Sequence, residues 1–63
     1  MYSTPEYIHE GDIIIANEFG EGLGITVGSE YTVLEVIGRY YRIVNDDGKE
    51  ELYTYEYFYK KIH

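Results

Sequence analysis

The chain is predicted to be all-β: a small, strongly bent antiparallel barrel of five strands with one 3₁₀ turn before the last. Three observations carry this reading. Tyr40-Tyr41-Arg42-Ile43-Val44 and Lys49-Glu50-Glu51-Leu52-Tyr53-Thr54 flank Asn45-Asp46-Asp47-Gly48. Two β-forming runs around turn formers that end in glycine make a β-hairpin. No segment keeps an apolar 3.6 period over about ten residues, so no amphipathic helix is expected. Finally, 63 residues with nine tyrosines, two phenylalanines and no cysteine must stand on a dense core without disulfides. A core of this size supplies roughly 3–5 kcal/mol.

Residues 1–9 lead into the domain, and Pro5 blocks regular pairing there. Tyr7 and Ile8 are expected to lie against the barrel and Tyr2 to stay free. Gly11-Asp12 opens the first strand, Ile13 to Asn17. Ile13 and Ile15 share one face, and Ile14 and Ala16 the other. Three consecutive isoleucines predict cover on both faces. Residues 18–29 hold four glycines in twelve positions, the mark of a sharply turning loop. Phe19, Leu23, Ile25 and Val27 punctuate it, so the loop is expected to fold back on the core around a short irregular hairpin.

Tyr31 to Ile37 is the second strand. Its parity breaks, since Tyr31 and Val33 share a face and Val36 does not continue it. A bulge or coil near Leu34-Glu35 restores the pattern. Gly38-Arg39 makes a tight turn. In the third strand, Tyr40 to Asn45, Tyr41 and Ile43 face inward and Tyr40, Arg42 and Val44 outward, or the reverse. The fourth strand is Glu50 to Thr54, with Leu52 as its inward residue. Tyr55 to Tyr57 forms one 3₁₀ turn, and Phe58 to Ile62 is the last strand. Strands this short and few suit closure into a bent barrel, which removes sheet edges.

These residues resemble a known family. A Gly11-Asp12 strand opening, the glycine-rich loop, Val27-Gly28-Ser29-Glu30-Tyr31-Thr32-Val33, the Asp47-Gly48 turn and a terminal Tyr57-Phe58 are similar to small SH3-like barrels of phages and prophages of Gram-positive bacteria. The Bacillus prophage YorP-like group is the type they look like. The resemblance covers roughly residues 10–62 and implies a single SH3-like barrel domain over 10–63. It differs from eukaryotic peptide-binding SH3 domains, which carry a groove Trp and an early Ala-Leu-Tyr-Asp-Tyr stretch. Neither is present here.

Twelve acidic and five basic residues give a net charge of −7. That opposes a phosphate-backbone binder or an anionic membrane surface and permits a basic protein partner. Arg39, Arg42, Lys60 and Lys61 are too few for a nucleic-acid groove against those acids, so composition argues against nucleic acid as a partner. The first ten residues lack a signal peptide's basic and apolar regions, and no apolar run approaches the ~20 residues of a membrane span. The expected location is cytoplasmic, in a bacterial host.

No catalytic constellation stands out. Hydroxyl residues lack a neighbouring His in any nucleophile motif, and His9 and His63 sit in terminal segments. Asn45-Asp46-Asp47-Gly48 misses the EF-hand spacing, and turn chemistry accounts for it. Gly20, Gly22 and Gly24 have no following helix to complete a phosphate cradle. No enzyme, metal or cofactor is therefore expected. The tyrosines are the functional lead, because phenols suit half-wet surfaces and binding hot spots. The predicted binding residues are Glu18, Phe19, Glu21, Tyr40, Tyr53, Tyr55 and Tyr57. The expected function is a non-enzymatic protein-binding module, a monomer or weak homodimer. The competing reading is nucleic-acid contact, or DNA mimicry that blocks a DNA-binding protein.

Overall fold

The computed structural model describes residues 8–61. Expectations for Tyr2, Pro5, Tyr7, Ile62 and His63 fall outside them. The described residues form six strands: β1 Ile13–Ala16, β2 Glu30–Thr32, β3 Glu35–Ile37, β4 Tyr40–Val44, β5 Glu50–Thr54 and β6 Phe58–Lys60. Two 3₁₀ turns, Glu18–Gly20 and Tyr55–Tyr57, complete the regular structure. All strand pairings are antiparallel. They make two three-stranded sheets, ordered β2-β1-β6 and β3-β4-β5.

The sixth strand corrects the expected count of five. Val33 still belongs to the first sheet: its N–H donates to the Asp12 carbonyl at 2.9 Å and its carbonyl accepts from Gly11 at 2.8 Å. Leu34 already belongs to the second, donating to the Arg42 carbonyl at 2.8 Å. The parity break seen in the sequence is thus a change of sheet. Tyr31 and Val33 are buried in the first sheet, and Val36 is half-buried in the second. The expected closed barrel is also corrected, because the two sheets share no ladder. The chain crosses between them at Val33–Leu34 and again through the Tyr55–Tyr57 turn, so side-chain packing joins them.

Ile8, Ile14, Ala16, Ile25, Tyr31, Val33, Tyr41, Ile43, Tyr53 and Phe58 form the core. Phe58 is its hinge. Its ring lies 6.3 Å from Tyr31 of the first sheet, and 6.2 and 6.0 Å from Tyr41 and Tyr53 of the second. The edge-on pairs with Tyr31 and Tyr53 add about 0.5–1.5 kcal/mol each beyond area burial, and the Tyr41 ring is tilted at 51°. The alternation in β1 is as expected, with Ile14 and Ala16 buried and Ile13 and Ile15 half-covered.

β4 resolves its own ambiguity: Tyr41 and Ile43 are buried, and Tyr40 and Val44 are exposed. The Ile37-Gly38-Arg39-Tyr40 connection is a two-residue turn with φ of 59° at Gly38 alone. That is the type II′ pattern, which needs glycine first and suits a twisted hairpin. β5 corrects the expectation for Leu52. Pairing sets Tyr53 opposite the inward Tyr41 and Leu52 opposite the outward Arg42. Leu52 is consequently 44% exposed and Tyr53 is buried.

No helix among the described residues is long and apolar enough to cross a membrane.

Candidate interaction surface

The glycine-rich loop is held by side chains at both of its ends. At its start, Asn17 Oδ1 accepts from the Phe19 N–H at 2.8 Å, capping the first 3₁₀ turn. Its Nδ2 donates to the Glu56 carbonyl at 2.8 Å, and its N–H donates to the Tyr57 carbonyl at 2.7 Å. One asparagine therefore ties the first 3₁₀ turn to the second. Gly20 lets them approach. A Cβ there would fall 2.5 Å from Ile25 Cδ1 and 3.2 Å from Tyr57 Cβ. This turn replaces the irregular hairpin expected in the loop, where the isolated bridge between Glu21 and Ile25 is parallel and closes no hairpin.

Further along, the loop clips onto the β4–β5 turn. The Asp46 N–H donates to the Gly24 carbonyl at 2.8 Å. The Asp46 carboxylate accepts from the Thr26 hydroxyl at 2.6 Å and from the Tyr31 hydroxyl at 2.7 Å. The Tyr31 oxygen in turn accepts from the Thr26 N–H at 2.8 Å. Tyr53 adds a second clip, donating to the Leu23 carbonyl at 2.7 Å while accepting from Asn45 Nδ2 at 3.2 Å. The hydroxyls of Tyr31 and Tyr53 thus serve as struts beneath the loop.

These bonds shape the acid–base behaviour of the clip. Donation from Thr26 and then Tyr31 holds the Asp46 carboxyl below its usual 3.8. Burial, followed by the Asp46 hydrogen bond, pushes Tyr31 above its usual 10.0. The Asp12 carboxyl is also lowered, first by the His9 N–H and then by the charge of Lys60. A lowered folded-state carboxyl stabilises the fold fully above its unfolded pKa, and that contribution disappears as pH falls through the lower folded value. Acid titration followed by thermal melting should therefore show stability declining below about pH 4. Asp46→Asn should flatten part of that decline, leaving the share due to Asp12. An unchanged acid limb in that variant would rule out the Asp46 clip.

The predicted binding residues do not form one patch. Glu18, Phe19 and Glu21 are exposed on the outer side of the loop, with Phe19 73% exposed. Tyr57 is half-buried beneath, its ring edge-on to Tyr53 at 6.4 Å. Tyr53, expected on the surface, is 8% exposed and belongs to the core. Tyr40 and Tyr55 lie elsewhere, lining a shallow hollow of about 440 Å³ with Ile37, Arg39 and Glu56. The backbone closes this hollow, since Tyr55 donates to the Arg39 carbonyl at 2.9 Å. The Thr54 hydroxyl in its wall is buried without a hydrogen-bond partner. The second 3₁₀ turn is the divide, giving Tyr57 to the loop side and Tyr55 to the hollow.

Ile37 and Leu52 are surface apolar residues that the tyrosine-led reading overlooked. Turn length carries the signal for Ile37. A two-residue turn makes Ile37 and Tyr40 partners on one face, so an inward Tyr41 sends both outward. Compared with family models, with curated proteins and with solved structures, the chain gives no match.

Proposed function

We propose that the protein is a non-enzymatic protein-binding module of phage or prophage type, working in the cytoplasm of a bacterial host on an SH3-like frame. The order of elements supports the frame: a strand, a long glycine-rich loop, a strand that changes sheet, a tight turn, a hairpin, a 3₁₀ turn and a last strand that returns to the first. The observation that carries the function is Phe19. It is the most exposed large apolar residue described, and it has no polar atom to give it a use in water. Its backbone is held by the Asn17 cap, and its turn is seated on the second 3₁₀ turn. A fixed aromatic anchor lowers the ordering cost of binding and suits a hot spot.

Glu18 and Glu21 flank it, and both are exposed. The partner surface that fits is an apolar pocket with a basic rim on another protein. The −7 charge of the chain favours the same partner by steering.

Affinity capture from a Gram-positive host lysate with the native chain and Phe19→Ala tests the reading. Removal of a hot-spot ring costs about 2 kcal/mol or more, roughly a 30-fold loss of affinity. The native chain should retain a stoichiometric protein that Phe19→Ala loses, with both chains equally folded by amide NMR. Identical captures from the two would refute Phe19 as the anchor.

A further inference from the structure

A second surface stands apart from the Phe19 loop: the open edge of β5. In the β3-β4-β5 sheet, β5 is a terminal strand. The Asn45 N–H donates to the Lys49 carbonyl at 2.8 Å, and the Tyr55 N–H to the Arg39 carbonyl at 2.9 Å. Both bonds keep the register that pairs Tyr41 with Tyr53 and Ile43 with Glu51. Antiparallel pairing alternates, so residues 49, 51, 53 and 55 turn their backbone groups toward β4. Glu50 and Leu52 turn theirs the other way, as does the Thr54 N–H. No described residue bonds to these three N–H groups and two carbonyls.

A hollow of about 440 Å³ lies along this edge. Glu51, Leu52 and Tyr53 of β5 line it with Leu23 and Gly24 of the glycine-rich loop, and no residue of β3 or β4 does. It therefore lies on the side of β5 away from β4. Leu23 and Leu52, each 44% exposed, give it apolar walls. Asp47 joins Glu51 in the lining, and no described basic residue does. Residues 45–56 hold five acids against Lys49 alone. Asp46 among them is engaged by the Thr26 and Tyr31 hydroxyls. The nearby arginines do not offset the rest, since Arg42 is paired with Glu35 and Arg39 lines the other hollow with Glu56. An unpaired strand edge thus opens beside an apolar groove with an acidic rim.

We propose that the β5 edge receives an extended segment of another protein, bearing lysine or arginine, as an added strand. Main-chain bonds to Glu50, Leu52 and Thr54 hold the segment, and pockets for alternate side chains select it. With a period of two, every second side chain falls beside the hollow. There Asp47 and Glu51 meet its cations, while Leu23 and Leu52 cover its carbon stems. The same charges exclude a second copy. Pairing β5 with β5 edge to edge would bring the carboxylates of both copies within one strand spacing of about 4.8 Å. An acidic segment meets the same repulsion. The site uses no contact from Phe19, so it does not depend on the reading of that loop.

Amide NMR titration of the full chain tests it, with a capped heptapeptide of alternating lysine and valine as the probe. Amide shifts should centre on Glu50, Leu52 and Thr54, saturate with Kd below about 1 mM, and weaken as salt rises. Two N-methylated forms, one blocked on the lysines and one on the valines, should differ by roughly tenfold, because only one set faces β5. Leu52→Pro removes an outward donor and leaves the β4 ladder whole, so it should fold and bind more weakly. Glu51→Lys should weaken binding too, and Phe19→Ala should bind as the native chain does. A peptide of alternating glutamate and valine should not bind. No binding, equal loss from the two methylated forms, equal binding of the glutamate peptide, or shifts confined to the Phe19 loop would each overturn the proposal. So would native amides at 50, 52 and 54 that shift with protein concentration alone, since a second copy would then close the edge.

Discussion

Asn45→Ala is expected to unfold most of the molecule in mild denaturant. Asn45 is 9% exposed, and its side chain satisfies three groups at once. Oδ1 accepts from the Asp47 and Lys49 N–H groups at 3.0 and 3.1 Å, closing the β4–β5 turn from within. Nδ2 donates to the Tyr53 hydroxyl, which passes its own proton to the Leu23 carbonyl. Alanine removes the acceptor from two turn donors and leaves the strut under the loop half-satisfied. A buried polar group left without its partner costs about 1–3 kcal/mol. Because the turn donors lie near solvent and regain water, the sum is about 2–4 kcal/mol. Against a core contribution of roughly 3–5 kcal/mol, that is most of the stability. Asp47→Ala, two residues on and exposed, should stay within about 0.5 kcal/mol. Urea midpoints followed by near-ultraviolet dichroism compare the two. Equal midpoints would show that the Asn45 network carries no stability.

Ile43→Ala should be as severe. Ile43 is fully buried on β4, between Tyr41 and Asn45 on the inward face. Truncation at such a site removes transfer energy and leaves a cavity, together about 2–5 kcal/mol. In a domain this small the packing around the cavity has few neighbours with which to collapse. Val44→Ala, on the opposite face and 45% exposed, should cost well under about 1 kcal/mol. The pair tests the parity of β4 directly. Comparable losses from both would mean that the strand is not oriented as described.

Local chemistry made much of this fold legible. Asn-Asp-Asp-Gly announced the turn, and its neighbours the strands, with β5 spanning Glu50–Thr54 as expected. The Tyr55–Tyr57 turn was also foreseen. The fate of Leu52 and Tyr53 was not. By hydrophobicity, Leu52 is the better core residue of β5, and Tyr53 looks like surface. Two long-range facts reverse this. Pairing with β4 sets position 53 opposite the buried Tyr41. Asn45 and the Leu23 carbonyl, 8 and 30 residues away, then satisfy the hydroxyl that would otherwise keep a tyrosine in water. A buried phenol is tolerable only where such partners converge, and one strand's residues do not reveal them.

The same division runs through the candidate surfaces. Phe19, Glu18 and Glu21 were legible as loop residues because glycine spacing forces a sharp turn. That they stand outward together depends on Asn17 reaching the carbonyl of Glu56, 39 residues later. Tyr55 and Tyr57 both stand among the predicted binding residues, yet the second 3₁₀ turn sends them to different sides.

Turn formers, β-branched runs and the −7 charge act through nearest neighbours or through simple summation, so they can be read residue by residue. They settle that the chain builds short antiparallel strands and carries an acidic surface. The switch of sheets at Val33–Leu34, the burial of Tyr53 and the exposed apolar outer face of the second sheet arise only when distant strands come into register. Each depends on which group lies opposite, and that is a property of pairing between segments rather than of any segment alone.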